Sequence, residues 1–81
     1  MMRAEDIEQY IGNALPCQHI RVEGDGQHWQ ALVVSPEFVG KTRIARHKMV
    51  NATVQERLAS NEIHALSLKT MTPEEWDAVR G

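Results

Sequence analysis

The apolar positions Ile7, Ile11, Ala14 and Leu15 recur three and four residues apart, so the spacing predicts an amphipathic helix from Ala4 to Leu15. Glu5 and Asp6 fall in its first turn, where carboxylates favour the helix dipole, and Pro16 stops it. The period then drops to two. Ile20 and Val22 alternate with Arg21 and Glu23 between His19 and Glu23, Gly24-Asp25-Gly26 supplies turn chemistry, and Trp29 to Val34 resumes an extended, β-branched run. This predicts a β-hairpin with a short tip. Ser35-Pro36 ends the second strand, with room for an extra helical turn near Pro36 to Phe38 and a tight turn at Gly40. Val50, Val54 and Leu58 form a stripe that predicts one long helix from Thr42 to Ser60, with His47 just N-terminal on the stripe and Asn61 as its stop. Ile63 to Thr70 alternates again, a third strand with Leu66 and Leu68 on one face, Ser67 and Lys69 on the other, and His64 in phase with the leucines. Thr72-Pro73-Glu74-Glu75 combines an N-cap, a proline at the first helical position and a glutamate placed for a capping box, opening a short helix through Trp76 and Val79.

The order α-β-β-α-β-α predicts an α+β fold, a three-stranded sheet with helices packed on one face, and residues 1–81 read as a single domain. With 81 residues, 42% of them apolar, there is room for one hydrophobic core, and a core of that size leaves a domain that gains from a partner. Nine basic residues against eleven acids give a net charge of −2, so any contact with a polyanion is expected to be a local patch. The single cysteine, Cys17, excludes an internal disulfide and a paired-thiol metal or redox motif. Acids rather than a basic and apolar leader occupy Met1 to Asp6, and no stretch approaches the about 20 apolar residues that span a bilayer, which points to no membrane contact and a cytoplasmic location.

Four blocks in order carry a resemblance: Val34-Ser35-Pro36-Glu37-Phe38-Val39-Gly40-Lys41, Arg46-His47-Lys48-Met49-Val50, Ile63-His64-Ala65-Leu66 and Thr72-Pro73-Glu74-Glu75-Trp76. Together they resemble the BolA-like family, and the hairpin tip Gly24-Asp25-Gly26-Gln27-His28-Trp29 is similar to its bacterial short-loop subgroup. The resemblance implies an αββαβα domain related to the class II KH fold. It also implies a monothiol glutaredoxin as partner, forming a heterodimer that bridges a [2Fe-2S] cluster. In that scheme the glutaredoxin cysteine and a glutathione thiolate supply sulfur, while this chain supplies His64 and, from the hairpin, His28. Iron in such clusters accepts imidazole in place of thiolate. With two ligands at most from one chain, the isolated monomer is expected to hold no cluster.

Outside that family context a lone strand histidine is ordinarily a core-edge imidazole and a loop histidine a solvated one. His19 reads as surface, His47 as a structural histidine of the helix stripe, and Cys17 as a half-buried thiol outside the hairpin tip. Tyr10, Trp29, Phe38 and Trp76 are expected to pack against the sheet. Lys41, Arg43, Arg46 and Lys48 cluster at the start of the long helix and form a second candidate: a contact for DNA, which would make the chain a transcriptional regulator, or for an acidic partner, a use that fits the cluster scheme equally well. Gly40-Lys41-Thr42-Arg43 has only the first glycine of a KH-type clamp, which argues against RNA. Neither a Ser-His-acid or Cys-His pair at recognisable spacing, nor a P-loop, nor an HExxH motif occurs, so the residues point to binding rather than catalysis.

Overall fold

The computed structural model describes residues 2–80. Its elements are α1 (Ala4–Ala14), β1 (His19–Gly24), β2 (His28–Val34), a 3-10 turn (Pro36–Phe38), α2 (Arg43–Thr53), α3 (Gln55–Ala59), β3 (Ala65–Met71) and α4 (Pro73–Arg80). β2 is central: β1 pairs with it antiparallel through the hairpin, and β3 pairs with it parallel. A parallel neighbour requires a long crossover, which α2 and α3 provide.

One face of the sheet carries Ile20 and Val22 of β1, Trp29, Ala31 and Val33 of β2, and Leu66 and Leu68 of β3. Ile7, Ile11 and Leu15 of α1 cover it together with Phe38, Val50, Val54 and Ile63. This is the predicted arrangement, and it follows from matching a period of two in the strands to helical stripes. β1 is an edge strand, and its exposed ladder is partly closed by Glu8 of α1, whose carboxylate accepts the Val22 backbone N–H at 2.9 Å.

The expected long helix from Thr42 to Ser60 is two helices. Val54 leaves the helical region at φ −122°, ψ 18°, its N–H bonds to the Asn51 carbonyl, and the Thr53 hydroxyl donates to the Val50 carbonyl at 2.6 Å. Two adjacent β-branched residues favour this break, and a threonine hydroxyl turned back on its own helix competes with the backbone ladder. Asn61 does terminate the helical stretch, in the left-handed conformation at φ 64°. The third strand starts at Ala65 rather than Ile63. Ile63 is instead a fully buried plug whose N–H donates to the Arg57 carbonyl at 3.1 Å.

The predicted capping box is present at α4: Glu75 N–H donates to the Thr72 hydroxyl at 3.1 Å, and Thr72 N–H donates to the Glu75 carboxylate at 2.8 Å. Arg46 Nη1 reaches the same carboxylate at 2.8 Å and so latches α2 to α4. At the end of the sheet, Trp76 stacks on His19 with ring centres 4.8 Å apart and planes 13° apart. His19 is therefore a half-buried docking partner for α4, not the free surface side chain its sequence position suggests; a stacking contact between residues far apart in the chain leaves no local pattern.

The Thr72 backbone N–H, and next the Arg46 guanidinium, hold the Glu75 carboxyl below its ordinary value of 4.5. A depressed carboxyl stabilises the fold above its unfolded value and loses that contribution as pH falls through the folded one. Glu75→Gln is thus expected to be less stable than wild type at pH 7, with the gap closing below about pH 4.5. Urea midpoints measured from pH 7 to pH 3 check this; a gap that stays constant with pH contradicts it.

Candidate metal centre

The hairpin tip is built around two glycines and an aspartate. Gly26 sits at φ +103°, a conformation that side chains rarely adopt, and a Cβ on Gly24 would lie 2.4 Å from the His28 carbonyl oxygen and 2.6 Å from the Trp29 ring. Gly24 therefore lets the buried indole of Trp29 lie against the backbone and brings the chain back tightly to His28. Asp25 Oδ1 accepts the backbone N–H groups of Gln27 and His28 at 3.0 and 2.9 Å. These two N–H groups, that of His28 first, hold the Asp25 carboxyl below its ordinary value. The second oxygen, Oδ2, lies 3.8 Å from His28 Nδ1.

The parallel ladder completes the site. Its register sets His28 opposite Ala65, and Ala65 N–H donates to the Gln27 carbonyl at 3.1 Å. Residue 64, the last before β3, is thereby placed beside the end of the hairpin. His28 and His64 meet edge to face, ring centres 5.5 Å apart and planes 76° apart, and both are exposed. Two imidazoles bound to one tetrahedral metal at about 2 Å would have ring centres about 5 Å apart, a separation close to that of this pair. A [2Fe-2S] cluster needs four terminal ligands and tolerates imidazole at some of them. Two nitrogen donors on an exposed rim therefore fit half of its set.

Among the described residues no cluster of three or more His, Cys, Asp or Glu is placed to hold a metal ion. Cys17 precedes β1 at the end of the sheet where His19 faces Val34, opposite to the end where Gly24 faces Trp29. Its thiol donates to the Leu15 carbonyl at 3.1 Å, and burial pushes its pKa up, so it is neither near His28 and His64 nor primed as a thiolate.

The basic candidates divide. Lys41, Arg43 and Lys48 are exposed and have no ion-pair partner among the described residues. Arg46 is taken out of the cluster: beyond Glu75 it donates from Nε to the Lys41 carbonyl at 2.9 Å, its guanidinium lies over Phe38, and its side chain is 13% exposed. Arg43 instead shares a cleft with His47, Leu68, Lys69 and Thr70. Lys69 escaped the sequence reading as a member of this patch; its outward phase on β3 was visible, its nearness to α2 was not.

Residues 12–75 match the family model described as BolA-like protein. The chain is 39% identical over 75 residues to the acid stress protein IbaG of Escherichia coli, covering 93% of this chain and 89% of that protein. It is 45% identical over 53 residues to the DNA-binding transcriptional regulator BolA of Vibrio cholerae, covering 65% of this chain and 49% of that one. Among solved structures, a bolA protein homologue from Coxiella burnetii superimposes with a TM-score of 0.81 at 42% identity, over 95% of this chain and 99% of that one. No helix among the described residues is long and apolar enough to cross a membrane.

Proposed function

The chain belongs to the BolA-like family, and from that premise we propose that it is an accessory protein of iron-sulfur cluster trafficking or iron regulation that carries a bridging [2Fe-2S] cluster jointly with a monothiol glutaredoxin. The observation that carries this reading is the meeting of His28 and His64, from segments on either side of the α2–α3 crossover, at 5.5 Å on an exposed rim. The cluster is cargo held between two proteins: His64 and His28 supply nitrogen from this side, the glutaredoxin cysteine and glutathione supply sulfur from the other. Imidazole ligation removes anionic charge from the cluster and raises its potential, which suits a cluster that is sensed or handed on. The function is binding rather than catalysis, and the cytoplasm, a reducing compartment, is where such a partnership would work.

DNA binding through Lys41, Arg43 and Lys48 is the second reading, favoured by the exposure of these three cations, which have no ion-pair partner among the described residues, and by the name of the Vibrio cholerae relative. It ranks below the first because Arg46 is engaged with Glu75 and the net charge is −2.

The test is anaerobic reconstitution of wild type with a monothiol glutaredoxin, glutathione, iron and sulfide, followed by visible absorption and circular dichroism. A mixed-cluster spectrum distinct from that of the glutaredoxin alone, in a 1:1 heterodimer, is expected. An unchanged glutaredoxin spectrum with no heterodimer overturns the reading.

A further inference from the structure

Asp25 uses its two carboxylate oxygens for different tasks. Oδ1 accepts the N–H groups of Gln27 and His28, which tether the side chain although it is exposed. The oxygen left over, Oδ2, then stands 3.8 Å from Nδ1 of His28, the ring nitrogen on the side of the hairpin. That separation is longer than a hydrogen bond but leaves a fixed negative charge facing one nitrogen of the ring. A negative charge on one side of a neutral imidazole favours the tautomer with its proton on the facing nitrogen, which leaves the other lone pair free. Metal-bound histidines are commonly oriented by a carboxylate on the nitrogen not bound to metal. We propose that Asp25 is a positioning residue of the hairpin ligand: it holds His28 in the tautomer protonated at Nδ1, so that Nε2 is the atom presented to iron. The role for iron rests on the cluster reading above; the tautomer is a property of the protein alone.

Asp25→Asn separates the two tasks. Its amide oxygen can still accept the two backbone N–H groups, whereas its NH2 now faces Nδ1 as a donor and draws the proton to Nε2. Long-range 15N-1H correlation of the imidazole, recorded on the free protein about two pH units above the ordinary histidine pKa, is expected to show mainly Nδ1–H in wild type. In Asp25→Asn it should show mainly Nε2–H, with the Gln27 and His28 amide resonances kept, whereas Asp25→Ala should shift those amides as well. His28 protonated at Nε2 in wild type, or an unchanged tautomer in Asp25→Asn, overturns the inference whatever the glutaredoxin experiment gives. Where wild type does form the mixed cluster, Asp25→Asn is expected to bind it about 10- to 100-fold more weakly, the range for loss of an orienting partner. An affinity equal to that of wild type removes the presentation of Nε2 from the account. A reconstitution that fails in wild type while the tautomer follows Asp25 removes the cluster reading alone.

Discussion

His64→Ala is expected to return the reconstituted mixture to the spectrum of the glutaredoxin alone, with the cluster-dependent affinity of the heterodimer falling by more than about 100-fold, beyond what loss of an orienting group costs. Among the described residues no group of three or more His, Cys, Asp or Glu is placed to hold a metal ion, and Asp25 faces Nδ1 of His28, so removing His64 leaves one nitrogen from this chain. The side chain is exposed and precedes β3, and the neighbouring Ile63 and Leu66 carry the packing, so the fold should be untouched. An unaltered thermal transition beside a lost mixed spectrum is therefore the expected pair of results. A mixed spectrum that survives His64→Ala would mean that the cluster is held elsewhere.

Phe38→Ala is the largest expected effect on stability. Phe38 lies in the 3-10 turn between β2 and α2, is fully buried, and has the Arg46 guanidinium over its ring. Truncating a buried phenylalanine costs about 3–5 kcal/mol. A domain of 81 residues at about 0.05–0.15 kcal/mol per residue has only about 4–12 kcal/mol in total. The variant should then melt at least about 12 °C below wild type, and the latch from Arg46 to Glu75 should loosen with it. A loss under about 1 kcal/mol in urea titration would show that α2 and the sheet close over the gap, contrary to this account.

What could be read from the sequence was what a short stretch specifies by itself. The α1 stripe, the Gly24 to Gly26 turn, the Asn61 stop and the Thr72 to Glu75 capping box each depend on neighbours within a few residues, and each is found. The break at Val54 was hidden because Val50, Val54 and Leu58 keep helical spacing across it; what changes is one backbone bond at Thr53 and Val54. The role of Arg46 was hidden for another reason. Its charge resembled that of Lys41 and Arg43 until α4 brought Glu75 against it. For the site, pattern alone gave two unremarkable histidines, and only the resemblance of the Ile63 to Leu66 block and the hairpin tip to known relatives joined them. The physical link is the register of the parallel β2–β3 ladder, which no local signal encodes.

That register also sets when the two histidines can first meet. His28 sits at the close of a hairpin that can form as soon as β1 and β2 exist, but His64 joins it only after the whole α2–α3 crossover has been made and β3 has docked. Non-local pairing of this kind comes late, because a long loop must close before any contact rewards it. Before that step the chain offers separate imidazoles and no histidine pair. Under the proposed function, competence to take a cluster would arrive only with the completed fold, and half-made copies would be excluded without any separate proofreading step.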